Sequence, residues 1–227
     1  MPDFTHHLSP HTHHSSLLCT MLQPPLYLAP EPDYLLAVRR FTNEAYAQGA
    51  HMLSGWEQGS LLAWLARLKQ PKLVAEIGTF TGYSALWLAQ GLAPGGKLIT
   101  LERDARLQKP VRELLDASPH GHQIEMRIGE ALPLLETIEG PIDMAFIDAD
   151  KRSYHLYLER LLDRMPAGGL ILMDNVLWKG RLEDEAYRGD AITEYFRAFN
   201  LQVAQHPRLY PLMFPLRDGL WGAMVRG

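Results

Sequence analysis

The stretch Leu73-Val-Ala-Glu-Ile-Gly-Thr-Phe-Thr-Gly-Tyr-Ser-Ala-Leu-Trp-Leu88 decides the fold, because it joins a strand pattern to a helix pattern through a turn bounded by two glycines. Residues 73–77 are a short apolar run of the length of a buried strand, and the helical period begins after Gly82. A strand, a glycine-containing turn and a helix present backbone N–H groups and a helix N-terminus to a ligand in an open α/β sheet. The alternative is an ordinary strand–turn–helix connection that binds nothing.

The alternation of strand and helix continues along the chain after this stretch. Apolar and alternating patterns predict four further strands, at residues 97–101, 123–128, 142–147 and 169–173. They predict helices at residues 106–117 (interrupted early by Pro110), 131–138, 154–165 and 191–204. Five strands alternating with helices predict an α/β fold with one doubly wound, Rossmann-like parallel sheet and helices on both faces.

Both ends of the chain add elements to this sheet. Two helices are predicted before the first strand: residues 33–48, with Asp33 as the N-cap, and residues 61–68, after a polar turn. They are placed where they could cover the binding edge of the sheet. After the last helix, two apolar segments flank Arg217-Asp-Gly219, and Asp-Gly between strand-like runs indicates an antiparallel hairpin at residues 209–216 and 220–225.

Composition is that of a soluble globular protein, with 47% apolar and 21% charged residues among 227. A net charge of −4 without long charge runs gives no indication of a nucleic-acid partner. Cys19 is the only cysteine, which excludes an internal disulfide and a cysteine metal cluster. No apolar run reaches the roughly 18 residues of a membrane helix, and no secretory signal is present. The sequence therefore predicts a soluble, cytoplasmic protein without a membrane partner.

The first residues of the chain differ in composition from the rest. Residues 1–24 form a His-rich N-terminal tail without a helical or strand period, which predicts a mobile or surface-lying segment. Adventitious binding of a transition metal is the alternative for its five histidines. Residues 25–227 are predicted to form a single domain with no internal repeat. The histidines of the tail are His6, His7, His11, His13 and His14.

The glycine turn after the first strand limits which ligands the sheet can bind. A dinucleotide fingerprint requires G-x-G-x-x-G, and here Gly78 and Gly82 give G-x-x-x-G without the middle glycine that lets the backbone approach a pyrophosphate. Glu76, just before the turn, would repel a diphosphate but suits a cationic ligand. Glu102, at the end of the second strand, is placed to accept hydrogen bonds from a ribose diol, or is a solvated charge. These features fit S-adenosylmethionine better than NAD.

A second group of polar residues follows the fourth and fifth strands. Asp148 ends the fourth strand, and Asp174-Asn175 ends the fifth. If the two strands are neighbours, their carboxyl ends lie about 5 Å apart. Three hard oxygen ligands then meet, with water or substrate completing the shell of Mg²⁺ or a similar ion such as Mn²⁺ or Ca²⁺. Lys151, three residues after Asp148, is close enough to face the same site, although a lone lysine is more often on the surface.

Three segments together resemble the cation-dependent O-methyltransferases of the caffeoyl-CoA and catechol O-methyltransferase type, especially small bacterial members. The segments are Ala75-Glu-Ile-Gly-Thr-Phe-Thr-Gly-Tyr-Ser84, Phe146-Ile-Asp-Ala-Asp-Lys151 and Asp174-Asn-Val-Leu-Trp-Lys-Gly180. Further similarity occurs at Glu57-Gln-Gly59, Phe199-Asn200 and Pro215-Leu-Arg-Asp-Gly-Leu220, so the resemblance covers roughly residues 30–227. It implies a methyltransferase sheet and, as is usual in this family, a homodimer formed through the N-terminal helices and the sheet edge.

The resemblance also implies roles for individual residues. Lys151 would be the general base, and Asp148 would contact the acceptor. Asp148, Asp174 and Asn175 would hold the divalent cation. The S-adenosylmethionine site would be lined by Ser54, Glu76, Gly78, Thr79, Ser84, Glu102, Ala131, Asp148 and Asp150.

The chain departs from the family on the acceptor side. Lys179 replaces an asparagine that plant caffeoyl-CoA enzymes use near the acceptor, and the lysine that binds the CoA ester has no clear counterpart, which argues against a CoA-thioester acceptor. Trp56, Tyr154, Trp178 and the loop 181–188 could border the acceptor pocket or be plain packing.

The expected reaction is methyl transfer from S-adenosylmethionine to a hydroxyl of a vicinal diphenol, a small phenolic acceptor, aided by the divalent cation. Two alternatives stay open. One is an NAD-type oxidoreductase on the same sheet, and the other is a non-catalytic binding protein that retains the fold.

Overall fold

The structure, a computed structural model, describes residues 28–227, and Glu31–Gly227 form one compact unit. The predicted His-rich tail and Cys19 lie outside the described residues. Seven strands follow one another along the chain. They are β1 (Leu73–Ile77), β2 (Lys97–Glu102), β3 (Ile124–Ile128), β4 (Met144–Ile147), β5 (Leu170–Asp174), β6 (Leu209–Phe214) and β7 (Leu220–Val225).

The seven strands form one sheet in the order β3-β2-β1-β4-β5-β7-β6. The first five in this order are parallel, β7 is antiparallel to β5, and β6 is antiparallel to β7. The chain builds outward from β1 to β3 on one side and then returns to place β4 on the other side of β1. The predicted doubly wound sheet with a C-terminal antiparallel hairpin is therefore confirmed, and its topological switch point lies between β1 and β4.

Seven α-helices connect or flank these strands within the described residues. Side chains from successive positions of the central strands enter two separate cores, because a strand points its side chains alternately to opposite faces. Ala145 and Ile147 of β4 pack into one core, and Met144 and Phe146 pack into the other. A sheet covered on both faces explains why β4 is a continuous apolar run and why β1 is apolar except at Glu76. The helices are α1 (Asp33–Ala45), α2 (Gly55–Lys69), α3 (Tyr83–Ala89), α4 (Gln108–Asp116), α5 (Ala131–Glu136), α6 (Tyr154–Leu162) and α7 (Ala191–Ala204).

Three local predictions were wrong. Asp33 does not cap α1: it is the first helical residue, and Pro32 occupies the N-cap position without a side-chain hydrogen bond. Helix α2 begins at Gly55, not at residue 61, so most of the predicted polar turn is helical. Pro110 does not interrupt α4, because it is the third residue of that helix, where a backbone N–H has no acceptor within the helix.

The other predicted elements agree with the structure to within three residues at each end. Among residues 28–227, no helix has both the length and the apolar composition needed to cross a membrane.

Candidate active site

A cavity of about 760 Å³ opens at the carboxyl ends of β1, β2, β4 and β5, beside the switch point of the sheet. Ligands of doubly wound sheets bind at this position, so the fold alone marks the cavity as the candidate site. Every residue that the sequence predicted for the site, with the exception of Glu76, lines the cavity. These lining residues are Ser54, Gly78, Thr79, Ser84, Glu102, Ala131, Asp148, Asp150, Lys151, Asp174 and Asn175.

The turn after β1 depends on glycine at position 78. Gly78 has a φ of +100°, and a Cβ there would lie 2.2 Å from the carbonyl oxygen of Asp148. The two segments are tied together around it, because the N–H of Asp148 donates to the carbonyl of Ile77 at 2.9 Å. Only a residue without a side chain lets the turn pass this close to the end of β4. Gly78 thereby places the wall built from β1 directly against Asp148.

Glu102, at the end of β2, is held in place by backbone donors from two different loops. One carboxylate oxygen accepts from the N–H of Phe80 and the other from the N–H of Asp104, each at 2.8 Å. A carboxylate has about four acceptor positions, so two of them stay available to a ligand. The geometry suits a side chain that accepts hydrogen bonds from a diol, as the sequence predicted.

Glu76 does not line the cavity and lies behind its wall, fully buried on β1. The hydroxyl of Thr100 donates to its Oε2 at 2.5 Å, and Thr79, which does line the cavity, is 2.6 Å from Thr100 through its own hydroxyl. Burial raises the pKa of Glu76 to about 7, opposed by the nearby Ser84 and Thr100 hydroxyls. A chain of two threonines thus connects a buried carboxyl to the wall, and direct contact of Glu76 with a ligand stays a prediction.

The predicted acidic group is brought together by the pairing of β4 with β5, in which Ile147 is opposite Met173. Asp148 and Asp174 follow directly. Burial, and then the negative charge of Asp148, raise the pKa of Asp174 to about 6. Its Oδ2 accepts from Nε2 of Gln58 at 2.6 Å, and its Oδ1 accepts from the N–H of Asn175 at 2.7 Å.

The donor set formed by Asp148, Asp174 and Asn175 fits a hard divalent cation. Two carboxylates close enough to disfavour each other's charge, with a side-chain amide beside them, provide oxygen ligands of the kind that Mg²⁺ binds, and a bound cation would relieve the repulsion between the acids. Within residues 28–227 there is no group of three or more His, Cys, Asp or Glu side chains suited to a metal. Any cation here would therefore rely on Asn175, water or substrate for its remaining ligands.

Lys151 faces the same site as the acidic pair. Its Nζ donates to Oδ1 of Asp148 at 2.6 Å and to the Tyr154 hydroxyl at 2.8 Å. The Tyr154 hydroxyl lies 3.2 Å from the carbonyl of Ile147 and 3.0 Å from that of Asp174, so it joins the ends of β4 and β5. Tyr154 is fully buried and does not line the cavity. Of the two possibilities that the sequence left for Tyr154, packing beneath the site is the correct one.

Trp178 and Lys179 form the wall on the predicted acceptor side. Both adopt the left-handed conformation, with φ of 50° and 58°, which is strained for residues other than glycine. The Trp178 ring is stacked on Phe196 with centroids 5.3 Å apart. Trp56 and the loop 181–188 do not line the cavity, so for Trp56 too the packing interpretation applies.

The turn between β6 and β7 also belongs to this wall, which the sequence did not predict. Its Asp218 carbonyl accepts from the N–H of Leu177 at 2.8 Å, next to Trp178. The guanidinium of Arg217 donates to the carbonyl of Leu53 at 2.7 Å, just before α2. The Asp-Gly pair predicts a hairpin and belongs to the family resemblance, but nothing in its local pattern indicates a partner so distant in sequence.

Comparison with known proteins identifies the family of the chain. A sequence model described as O-methyltransferase matches residues 27–225. A catechol O-methyltransferase from Niastella koreensis is 38% identical over 178 residues, covering 76% of this chain and 79% of the relative. A caffeoyl-CoA O-methyltransferase from Petroselinum crispum is 34% identical over 204 residues, covering 84% of this chain and 83% of the relative.

The fold of the chain is also similar to that of a solved O-methyltransferase structure. The O-methyltransferase TomG from Streptomyces achromogenes, determined in complex with SAM, superposes with a TM-score of 0.80 at 29% identity. The match covers 88% of this chain and 93% of TomG. The family model alone spans nearly the entire described region. The cavity at the switch point, its acidic pair and its lysine are therefore those of a chain that belongs to the O-methyltransferase family.

Proposed function

We propose that this protein transfers the methyl group of S-adenosylmethionine to one hydroxyl of a catechol-like small molecule, a vicinal diphenol, with the help of a divalent cation. The observation that carries the proposal is the position of Asp148, Asp174, Asn175 and Lys151 on the same cavity as the turn after β1. A donor wall and an acceptor wall share one open cavity. Among the relatives, one is named a catechol O-methyltransferase and TomG was solved with SAM.

The donor half of the cavity supports a sulfonium nucleoside. Glu102 offers free acceptor positions for a ribose diol, while the glycine that would accommodate a pyrophosphate is absent from the turn. Asp150 lines the cavity as a second carboxylate, and Glu76 lies behind the wall. The carboxylates of Glu102 and Asp150 at this wall favour a positively charged ligand over a diphosphate.

The acceptor half supports a ligand with two adjacent oxygens. Asp148, Asp174 and Asn175 would hold the cation, which when bound lowers the pKa of a coordinated phenol from its ordinary value of about 10. Lys151 Nζ, held between Asp148 and Tyr154, is placed to receive the hydroxyl proton when its amine is neutral, and the resulting ammonium would stabilise the phenolate oxygen. Trp178 lines the same cavity, and an aromatic side chain there suits an aromatic acceptor.

The chemical step is a displacement at carbon. The acceptor oxygen, having lost its proton, attacks the methyl carbon, and the carbon–sulfur bond breaks with its electron pair staying on sulfur. The products are an aryl methyl ether and S-adenosylhomocysteine. The walls contribute mainly by holding the oxygen and the methyl group in line, which is worth several powers of ten in rate.

The test is methyl transfer from labelled S-adenosylmethionine to a panel of catechols with Mg²⁺. EDTA and Asp174→Ala should each reduce turnover to near background, whereas Asp116→Ala, which removes an exposed carboxylate on α4, should not. Undiminished turnover in EDTA would refute the cation, and no transfer to any catechol would refute the acceptor class. Calorimetry with S-adenosylmethionine and with NAD tests the donor separately, and binding of NAD alone would favour the oxidoreductase.

A further inference from the structure

Gln58 connects the N-terminal helices to the acidic pair. It lies on α2, is fully buried, and its Nε2 donates to Oδ2 of Asp174 at 2.6 Å, across 116 residues of sequence. It does not line the cavity. Any effect of Gln58 on the site therefore passes through its hydrogen bond to Asp174.

The contact fixes the orientation of the Asp174 carboxyl group. One oxygen receives the amide of Gln58 and the other receives the backbone N–H of Asn175. Two donors on opposite oxygens define the plane of a carboxylate. Each oxygen keeps a further lone pair that can bind a cation. Removing Gln58 would leave a single donor, about which the group could rotate.

The position of Gln58 is itself tightly determined. At the neighbouring Gly59, a Cβ would lie 2.2 Å from Nε1 of Trp87, so only glycine lets α2 approach α3 this closely. The start of α2 is held from the other side, where Arg217 donates to the carbonyl of Leu53 at 2.7 Å. Contacts on both sides thus fix the backbone around Gln58. Its side-chain amide donates to Asp174 from this fixed position.

Among the described residues, only one end of the Gln58 amide has a hydrogen-bond partner. Its Oε1 is buried and has no hydrogen-bond partner within residues 28–227. An unpaired buried acceptor is destabilising. An apolar side chain of the same length would remove this acceptor, but it would also remove the donor to Asp174. The single bond that the side chain does make is directed at Asp174.

We propose that Gln58 is a positioning residue, which holds the Asp174 carboxylate in the orientation that ligates the divalent cation. The inference rests on the proposed function, since it requires that the cation bind. Partners of this kind behind a metal ligand typically contribute about 10- to 100-fold to metal affinity. We therefore expect Gln58→Met, which keeps the length and loses the amide, to weaken cation binding at least about 10-fold.

The experiment measures Mn²⁺ dissociation constants by electron paramagnetic resonance on the full chain. It compares the wild type with Gln58→Met and with Gln58→Asn, which keeps the amide but shortens its reach. Ser118→Ala is the matched control, because it also removes a buried hydrogen bond, from Ser118 to the carbonyl of Leu115, away from the cavity. Calorimetry with S-adenosylhomocysteine, without metal, reports whether the donor half stays intact, and thermal melts confirm folding.

Weaker Mn²⁺ binding in both Gln58 variants, with unchanged S-adenosylhomocysteine affinity and an unchanged Ser118→Ala control, supports the inference. Wild-type Mn²⁺ affinity in a folded Gln58 variant overturns it and leaves the proposed function standing. If Ser118→Ala weakens Mn²⁺ equally, the effect is general destabilisation and the inference is wrong. If the wild type itself binds no Mn²⁺, the proposed cation is refuted and the inference falls with it, so the wild-type measurement separates the two failures.

Discussion

The buried carboxyl of Glu76 should make the stability of the protein fall as the pH rises. Its pKa is raised from 4.5 to about 7 by burial, so the folded chain holds the proton more tightly than the unfolded chain does. This contribution to stability is complete below about pH 4.5 and is lost as the pH passes through 7. The full difference corresponds to about 3 kcal/mol of unfolding free energy.

Glu76→Gln replaces the carboxyl with a neutral group of the same shape and should abolish this dependence. Between about pH 5 and pH 8 the variant should gain about 2.5 kcal/mol of stability relative to the wild type, since most of the titration lies in that interval. Other groups whose pKa is raised, such as Asp174, are present in both proteins and cancel in the difference.

Urea unfolding, followed by tryptophan fluorescence at several pH values without ligands, measures this difference. Glu113→Gln, which alters an exposed carboxyl on α4, is the control. Its free energy of unfolding should depend on pH as that of the wild type does. Calorimetry adds a functional measurement: the variant should lose more affinity for S-adenosylmethionine than for S-adenosylhomocysteine, because only the former carries a charged sulfur. Parallel stability profiles for the wild type and Glu76→Gln would refute the reasoning.

Two further substitutions test the geometry of the strand ends. Gly78→Ala should destabilise the protein by more than about 2 kcal/mol in urea unfolding, because the new Cβ would lie 2.2 Å from the Asp148 carbonyl oxygen. Gly140→Ala, at a φ of +84° with open space around it, should cost only about 1 kcal/mol, and equal losses would contradict the close-approach argument. Tyr154→Phe removes the hydroxyl that Lys151 Nζ contacts at 2.8 Å, so kcat should fall about 10-fold with the KM for the donor unchanged. An unchanged kcat, as expected for the control Tyr210→Phe at an exposed position, would show that Lys151 does not depend on Tyr154.

The sheet and the acidic pair could be predicted because both follow from local pattern and general rules of topology. The apolar runs of β1 and β4 mark strands buried on both faces, and parallel strands end at the same edge of a sheet. The prediction that Asp148 and Asp174 lie close together needed only the further assumption that β4 and β5 are neighbours. The structure confirms this pairing.

The start of α2 could not be predicted, because its reason lies elsewhere in the chain. Glu57, Gln58 and two glycines have the composition of a turn. Gln58 is nevertheless helical, and its side chain is buried against Asp174, 116 residues away. Position 59 is glycine because Trp87 occupies the space that a side chain would need. Tyr154 is a similar case: an aromatic three residues after Lys151, the predicted general base, was as compatible with a pocket wall as with the support beneath it.

The contacts that complete the cavity have a consequence for how activity is acquired during folding. Arg217 and Leu53 are 164 residues apart in sequence, and Gln58 and Asp174 are 116 apart. Contacts of such long range form late, because the entropy of closing the intervening chain must first be overcome. Regain of methyl transfer after dilution from denaturant should therefore coincide with the slowest folding phase, and secondary structure should return earlier without any activity.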